Sequence, residues 1–262
     1  MYNFLCVGGS KYGCDLFTEG SNGKIVTVEE ALSDTSLPLC WAGSHKETLY
    51  HHCIENDRKF YNLDTGYFGN VKRKEIIRVT YNNFQDMNPV VSRSDDRLKD
   101  FSVEIENYPR GSSIVIVPPD EKIIKSFQLG NSWVEKVESE LKKYTDRPIR
   151  IRHRPLSRSD RVNTDTFKDF IKKDTFAVVG FSSNALVESI ICGIPVISLG
   201  HSATKSLCDY DLKDIEKISD LDETKRFNWL KHLSYRQFTH EELQNGTAWK
   251  LLNESLSVGA LA

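Results

Sequence analysis

Short apolar runs of four to six residues alternate with helical patterns along this chain of 262 residues. The apolar runs predict strands at 4–7, 24–28, 37–41, 59–63, 75–80, 113–117, 149–152, 175–179 and 195–199. The later runs, from 113 onward, are almost continuously apolar, which is typical of strands covered on both faces.

Between these runs, apolar residues recur at helical spacing. Trp133, Val137 and Leu141 share one face of such a helix, and Asn131 or Ser132 is a natural N-cap for it. The predicted helices span 46–56, 132–143, 166–172, 184–192, 225–233 and 241–256. Strands that alternate with helices indicate parallel sheets joined by right-handed crossovers.

The polar segment 85–111 interrupts this alternation and is expected to connect two domains. We predict an α/β protein with two Rossmann-like domains, 1–110 and 111–262, whose parallel sheets face a central cleft. A ligand would bind there, at the carboxyl ends of the strands. The last helices, with Trp229 and Trp249, are expected to pack back across the cleft.

The composition is that of an ordinary globular protein, with 39% hydrophobic and 27% charged residues and a net charge of −2. It excludes disorder, collagen and coiled coil. No apolar run approaches the ~18 residues of a membrane span, and the N-terminus lacks the features of a signal peptide. The six cysteines contain no CxxC pair. We therefore expect a soluble cytoplasmic protein with reduced thiols.

Basic residues are concentrated in two places. Six arginines and one acid lie within the fifteen residues 147–161, and Lys72, Arg73 and Lys74 form a second basic run. Arginine at this density in a near-neutral protein indicates a site that handles phosphate. A solvated basic face is the alternative interpretation.

The most informative stretch is 175–201, TFAVVGFSSNALVESIICGIPVISLGH. A buried strand turns at Gly180, and Ser182 and Ser183 open a helix at Asn184. Free N–H groups at a helix N-terminus, flanked by hydroxyls, favour an anion. Glu188 lies one turn into the helix, where a carboxylate would suit the two hydroxyls of a ribose. The alternative is a doubly wound domain in which the serines only cap a helix.

This stretch, with SIVIVPP and IRIRHRP before it, resembles the donor half of GT-B glycosyltransferases. The likeness is to the group with capsule-polysaccharide, Kdo- and sialyl-transferase-like enzymes, and it covers about 113–201. It implies a nucleotide-sugar donor, UDP- or CMP-linked, and no other cofactor. The implied donor-binding residues are His153 or its neighbours Arg152 and Arg154, together with Ser182, Ser183, Asn184 and Glu188. In this chain, one residue separates His153 from Pro155, where the family has a His-Pro pair.

The first half of the chain offers an acceptor side. Asp64-Thr65-Gly66 follows a strand and is similar to the acidic D-x-G base of related sialyltransferases. Asp64 is our candidate general base, with His45 as second choice; an Asx-turn aspartate is the alternative. The candidate acceptor-binding residues are Gly8, Gly9, Ser10, Lys11, Lys72, Arg73 and Lys74.

A metal site is not expected. His51, His52 and Cys53 are consecutive on a predicted helix, so they cannot all face one ion with His45. The chain also lacks the Asp-x-Asp motif of metal-dependent transferases.

The sequence therefore predicts a metal-independent, GT-B-type glycosyltransferase. Basic residues interleaved with aromatics and amides after Asp64 favour a nucleic acid acceptor, and the chain resembles small phage-encoded proteins. The preferred acceptor is thus 5-hydroxymethylpyrimidine, such as hydroxymethylcytosine, in duplex phage DNA. The alternatives are a transferase acting on a surface or capsular glycan, a nucleotide-sugar 2-epimerase, and a non-catalytic nucleic-acid-binding module.

Overall fold

A computed structural model describes residues 1–8, 11–43, 46–69, 75–154 and 165–259. The strands are β1 (Leu5–Val7), β2 (Lys24–Ile25), β3 (Leu39–Ala42), β4 (Phe60–Thr65), β5 (Ile76–Tyr81), β6 (Ser113–Val117), β7 (Ile149–Ile151), β8 (Thr175–Gly180), β9 (Val196–Ser198) and β10 (Gln237–Thr239). The helices are α1 (Cys14–Gly20), α2 (Val28–Ser33), α3 (Lys46–Glu55), α4 (Asp96–Asp100), α5 (Glu121–Ser126), α6 (Trp133–Leu141), α7 (Phe167–Lys172), α8 (Asn184–Ile191), α9 (Glu223–Ser234), α10 (His240–Gln244) and α11 (Thr247–Gly259). The fold is mixed α/β, and all nine predicted strands are present.

The strands form two sheets. The first has the order β10-β5-β4-β3-β1-β2, and the second has the order β7-β6-β8-β9. The second sheet is entirely parallel, as its continuous apolar runs predicted. β6 and β8 lie at its centre, and their apolar side chains are buried.

The first sheet differs from the all-parallel prediction at one edge. β5 runs antiparallel to β4, and β10 runs antiparallel to β5. Only residues 66–75 join β4 to β5, fewer than the dozen or so that a parallel crossover needs. The predicted strand 24–28 is also shorter than expected. It stops at Ile25 because Thr27 caps α2 in a capping box with Glu30.

The chain forms two compact units. The first contains Met1–Asn88, Ser92–Val103 and the segment from Leu230 onward, and the second contains Pro89–Val91 and Glu104–Trp229. This division differs from the predicted boundary at 110, because the C-terminal segment belongs to the first unit. β10 extends the first sheet, and the helices after it pack beside α1.

The C-terminal helix α11 completes the aromatic core of the first unit. The Trp249 ring lies 5.6–6.1 Å, centroid to centroid, from the rings of Phe4, Phe17 and Tyr61. In the second unit, Trp133, Val137 and Leu141 are buried on one face of α6, as their spacing predicted.

Candidate functional site

In the second unit, β8 ends at Gly180 and α8 begins four residues later. Ser183 is the N-cap of α8, and its hydroxyl accepts a hydrogen bond of 3.2 Å from the backbone N–H of Ala185. Ser182, Ser183 and Asn184 are all half-buried. The first turn of the helix directs N–H groups and partial positive charge toward this point. The helix start is thus where the sequence placed it, and its hydroxyls and amide surround a place suited to an anion.

Glu188 is a half-buried carboxylate one turn into α8. It makes no hydrogen bond and no ion pair with the residues that the structure describes. Burial raises its pKa, the charge of Lys168 opposes that rise, and Glu106 adds to it. Lys168 pairs instead with Glu106. A half-buried carboxylate that has no such partner among the described residues, beside a helix start suited to an anion, is available to a polar ligand.

The residues after β7 lie at the carboxyl edge of the same sheet. Arg152 donates a hydrogen bond to the backbone carbonyl of Asp165, and its guanidinium lies 5.1 Å from the centroid of the Phe170 ring. His153 and Arg154 are exposed. β6 separates β7 from β8 in the sheet. These three predicted residues therefore share an edge with Ser182 but follow a different, non-adjacent strand.

Two other arginines of the basic run have structural partners. Arg147 stacks 3.5 Å above the centroid of the Phe176 ring and forms an ion pair of 3.0 Å with Glu216. Arg150 donates hydrogen bonds of 2.8 Å to the carbonyl of Asp174 and the hydroxyl of Thr175, at the opposite, amino end of β8. These two guanidiniums hold the amino edge of the sheet together, and this accounts for part of the arginine density.

In the first unit, Asp64 lies near the carboxyl end of β4. Its Oδ2 lies 3.0 Å from Nη2 of Arg78 and 3.9 Å from Nζ of Lys46, and its Oδ1 accepts a hydrogen bond of 2.8 Å from the N–H of Thr65. The Asp64 side chain is 33% exposed, against 7% for Arg78 and 10% for Lys46. The carboxylate thus reaches solvent while two largely buried cations hold it in place.

The other acceptor-side candidates are only partly described. Gly8 follows β1 with a φ of 124°, a conformation that favours glycine, and the backbone at Lys11 begins a 3-10 turn. β1, β3 and β4 are neighbours in the sheet, so Gly8, Gly43 and Asp64 follow or end adjacent strands at one edge. The candidates Gly9, Ser10, His45, Lys72, Arg73 and Lys74 lie outside the described residues.

Sequence reasoning missed His201, which follows β9 at the carboxyl edge of the second sheet. Its ring makes an edge-to-face contact with Phe127, 5.0 Å between centroids, and Phe127 makes another with Phe181 at 4.9 Å. Phe181 directly precedes Ser182. The signal in the sequence was the position of His201 three residues after a buried strand.

Neither a metal-binding cluster nor a membrane-spanning helix is present among the described residues. Within the ranges given above, no group of three or more His, Cys, Asp and Glu side chains could hold a metal ion. In the same part of the chain, no helix has the length and apolar character needed to cross a bilayer.

The chain matches no protein-family model and no curated protein. Among solved structures, it is similar to KpsC, β-Kdo 2,7 transferase, of Thermosulfurimonas dismutans. That similarity has 12% identity and a TM-score of 0.48 over 97% of this chain and 99% of the other. It is also similar to the KpsC β-Kdo 2,4 transferase of the same organism, with 10% identity and a TM-score of 0.47 over 91% and 92% of the two chains.

Proposed function

We propose that this protein is a glycosyltransferase that moves a sugar from a nucleotide-sugar donor to an acceptor hydroxyl. The observation that carries the proposal is Glu188, a half-buried carboxylate without a hydrogen-bond or ion-pair partner among the described residues, one turn beyond the capped start of α8. A ribose offers two adjacent hydroxyls to such a carboxylate, and the phosphate attached to it would meet the N-terminus of the helix.

The proposal assigns roles to the predicted donor-binding residues and to Asp64. Ser182, Ser183 and Asn184 hold the donor phosphate with the helix N-terminus. Arg152 and Arg154, after β7, add positive charge against the leaving group, and His153 between them contacts the donor phosphate. Asp64 is the base that takes the proton from the acceptor hydroxyl. These fixed dipoles and cations support a GT-B-type reaction without a metal, so transfer should persist in a chelator.

For the acceptor, we propose a glycan hydroxyl. Among the described residues, Arg147 and Arg150 of the basic run 147–161 are bonded within the second unit, at the amino edge of its sheet rather than at the carboxyl edge where the donor site is proposed. The run Lys72–Lys74, on which the DNA acceptor depended, lies outside the described residues. Hydroxymethylated DNA is therefore retained as a comparison acceptor in the assay.

The test is calorimetric titration with CMP and UDP, comparing the wild type with Glu188→Gln. We expect one nucleotide to bind, and the glutamine variant to bind it at least tenfold more weakly, because it loses a charge-assisted hydrogen bond. Glu135→Gln, on the exposed side of α6, is the matched control and should bind like the wild type. Equal binding by Glu188→Gln and the wild type would contradict the role of Glu188.

A second arm separates the transferase from the 2-epimerase. An epimerase changes the bound donor without any acceptor, whereas a transferase releases nucleotide in step with a mass gain on the acceptor. Inversion of the sugar at C2 in the absence of acceptor, detected by NMR, would overturn the transferase and favour the epimerase.

A further inference from the structure

Three aromatic rings meet at the carboxyl edge of the second sheet. Phe127, Phe181 and His201 come from the segments that follow β6, β8 and β9, three neighbouring strands. Phe127 and His201 are half-buried, so part of each ring remains accessible, while Phe181 is buried beneath them. Ligands of open α/β sheets bind beyond this edge. The three rings therefore lie where a bound donor would pass.

The segment that carries His201 is held firmly. The hydroxyl of Ser198 donates to the carbonyls of Phe181, at 3.0 Å, and Gly200, at 3.2 Å. A Cβ on Gly200 would collide with the Phe181 ring, so this close approach requires glycine. Beyond His201, the indole N–H of Trp229 donates to the carbonyl of Ala203 at 2.8 Å. The imidazole thus has a fixed position relative to Phe181 and the serine after it.

The crossovers of the sheet place this ring cluster and Glu188 on opposite faces. The connection from β6 to β7 runs one way along the sheet, and those from β7 to β8 and from β8 to β9 run the other way. Right-handed connections then put α6 on one face and α7 and α8 on the other. Phe127 and Phe181 belong to the α6 core, whereas Glu188 faces Lys168 of α7.

A donor bound at this edge would therefore extend from one face of the sheet to the other. With its ribose at Glu188 and its phosphate at the start of α8, the sugar-bearing side of the phosphate would be directed toward the face of the ring cluster. β9 is the direct neighbour of β8, and strands are about 4.8 Å apart. His201 accordingly follows the strand adjacent to β8, which leads into the proposed phosphate site, whereas β7, which precedes His153, is not adjacent to β8.

We propose that His201 binds the phosphate through which the nucleoside is joined to the transferred sugar, donating an imidazole N–H to a phosphate oxygen. This inference rests on the proposed function and adds a donor-binding residue to it. Burial, and secondarily the charge of Lys205, lowers the pKa of His201, which favours the neutral imidazole with one N–H donor and one acceptor. Lys205, half-buried on the turn Ala203–Ser206, adds a positive charge that attracts an anion.

The test compares ligands with and without phosphate. Titrations of the wild type, His201→Ala and His201→Gln would use CMP and UDP, each alongside its nucleoside. We expect His201→Ala to bind the preferred nucleotide about tenfold more weakly, with nucleoside binding unchanged. His201→Gln keeps an N–H donor and should recover part of the loss. His240→Ala, an exposed histidine at the start of α10 in the first unit, should bind like the wild type.

The outcomes separate this inference from the proposed function. If the wild type binds a nucleotide and His201→Ala binds it equally well, the role of His201 is wrong while the proposed function stands. An equal loss of nucleotide and nucleoside affinity would also overturn the phosphate contact, because it would place His201 against the base or ribose. If the wild type binds neither nucleotide, the proposed function itself fails.

Discussion

At the scale of single residues, Asp64 combines exposure with tight positioning. Arg78 and Lys46 hold one of its oxygens, and both cations are largely buried. A general base must keep a fixed orientation toward the hydroxyl that it deprotonates, and these contacts supply it. The same contacts also explain Asp64 as a partner for two buried cations, so only a kinetic measurement distinguishes the two roles.

Asp64→Asn removes the charge and keeps the shape of the side chain. If Asp64 is the base, the turnover number for sugar transfer should fall by about 10²–10⁴ while nucleotide affinity stays unchanged. Steady-state kinetics and titration on the same preparation provide both values, and a melting curve shows whether the variant is folded. Transfer by a folded variant at the wild-type rate would exclude Asp64 as the base.

Asp86 forms a buried polar cluster in the first unit. Its Oδ2 lies 2.9 Å from Nε2 of His232 and 2.8 Å from Nε of Arg236, and all three side chains are almost fully buried. Burial raises the pKa of Asp86, but the hydrogen bond from His232 and the charge of Arg236 outweigh this and lower it to about 2. The folded state therefore prefers the charged carboxylate.

The lowered pKa makes stability depend on pH. Because the pKa is lower in the folded than in the unfolded state, the contribution of Asp86 is complete above about pH 4 and is lost as the pH falls toward 2. It amounts to roughly 2 kcal/mol. Asp86→Asn should be less stable than the wild type in urea at pH 7, and the difference should shrink between pH 4 and pH 2. A difference that stays constant over this range would contradict the assignment.

Residues of the candidate site differed in how far the sequence revealed them. The N-cap position of Ser183 and the place of Glu188 one turn into α8 were predictable because capping and helical spacing are local signals within ten residues of chain. The proposed role of His201 was not predictable, because it depends on which strands are neighbours in the sheet, and that order is not local. The contact between Asp86 and His232 joins residues 146 positions apart, and no local pattern predicts it.

At the scale of elements, α11 shows how a C-terminal segment joins the first unit. Its Trp249 packs against Phe4 and Phe17, which lie near the other end of the chain. Aromatic contacts of this kind stabilise a core through both buried area and ring geometry. The position of α11 is thus fixed by its apolar face, beside α1 and α10.

Trp249→Ala should therefore destabilise the first unit. Loss of a large core aromatic costs about 3–5 kcal/mol, and Trp249 is only partly buried, so we expect about 2–3 kcal/mol. Lys250→Ala, exposed on the same helix, should stay within about 0.5 kcal/mol of the wild type. Urea unfolding followed by circular dichroism measures both changes. Similar effects from the two variants would show that α11 does not dock through Trp249.

Elements with strong periodicity were predictable, and those set by distant pairing were not. The apolar runs of β6 and β8 and the helix α6 follow directly from the sequence. β10 has three residues in a polar context, and it is a strand because β5 offers it an open edge. The antiparallel direction of β5 reflects the length of its connection to β4, which outweighed the expectation of a parallel sheet.

At the scale of the whole molecule, the sequence predicted two α/β domains but divided the chain between them too simply. A single boundary at 110 cannot describe a first unit that contains both the start and the end of the chain. The return of the segment from Leu230 onward depends on β10 and α11, whose partners lie more than 150 residues earlier. A change in amino-acid composition along the chain shows where a linker is polar, but it does not show which unit a later segment joins.

The proposed catalysis without a metal concerns the reaction as a whole. Fixed N–H dipoles, hydroxyls and cations would stabilise the leaving nucleotide in place of a divalent ion. Transfer measured after dialysis against EDTA should equal that of the untreated enzyme. A loss of activity that Mg²⁺ or Mn²⁺ restores would contradict this part of the proposal.

The most direct test of the central claim is nucleotide release coupled to transfer. The wild type would be incubated with CMP- and UDP-sugars, each with a glycan acceptor or with hydroxymethylcytosine-containing duplex DNA, and products would be followed by mass spectrometry. We predict that one donor is consumed, with equal amounts of nucleotide released and glycan extended, and that the DNA mass stays unchanged. A mass gain on DNA would move the acceptor to nucleic acid. If no donor is consumed and none binds in titration, the protein is not a nucleotide-sugar-dependent glycosyltransferase.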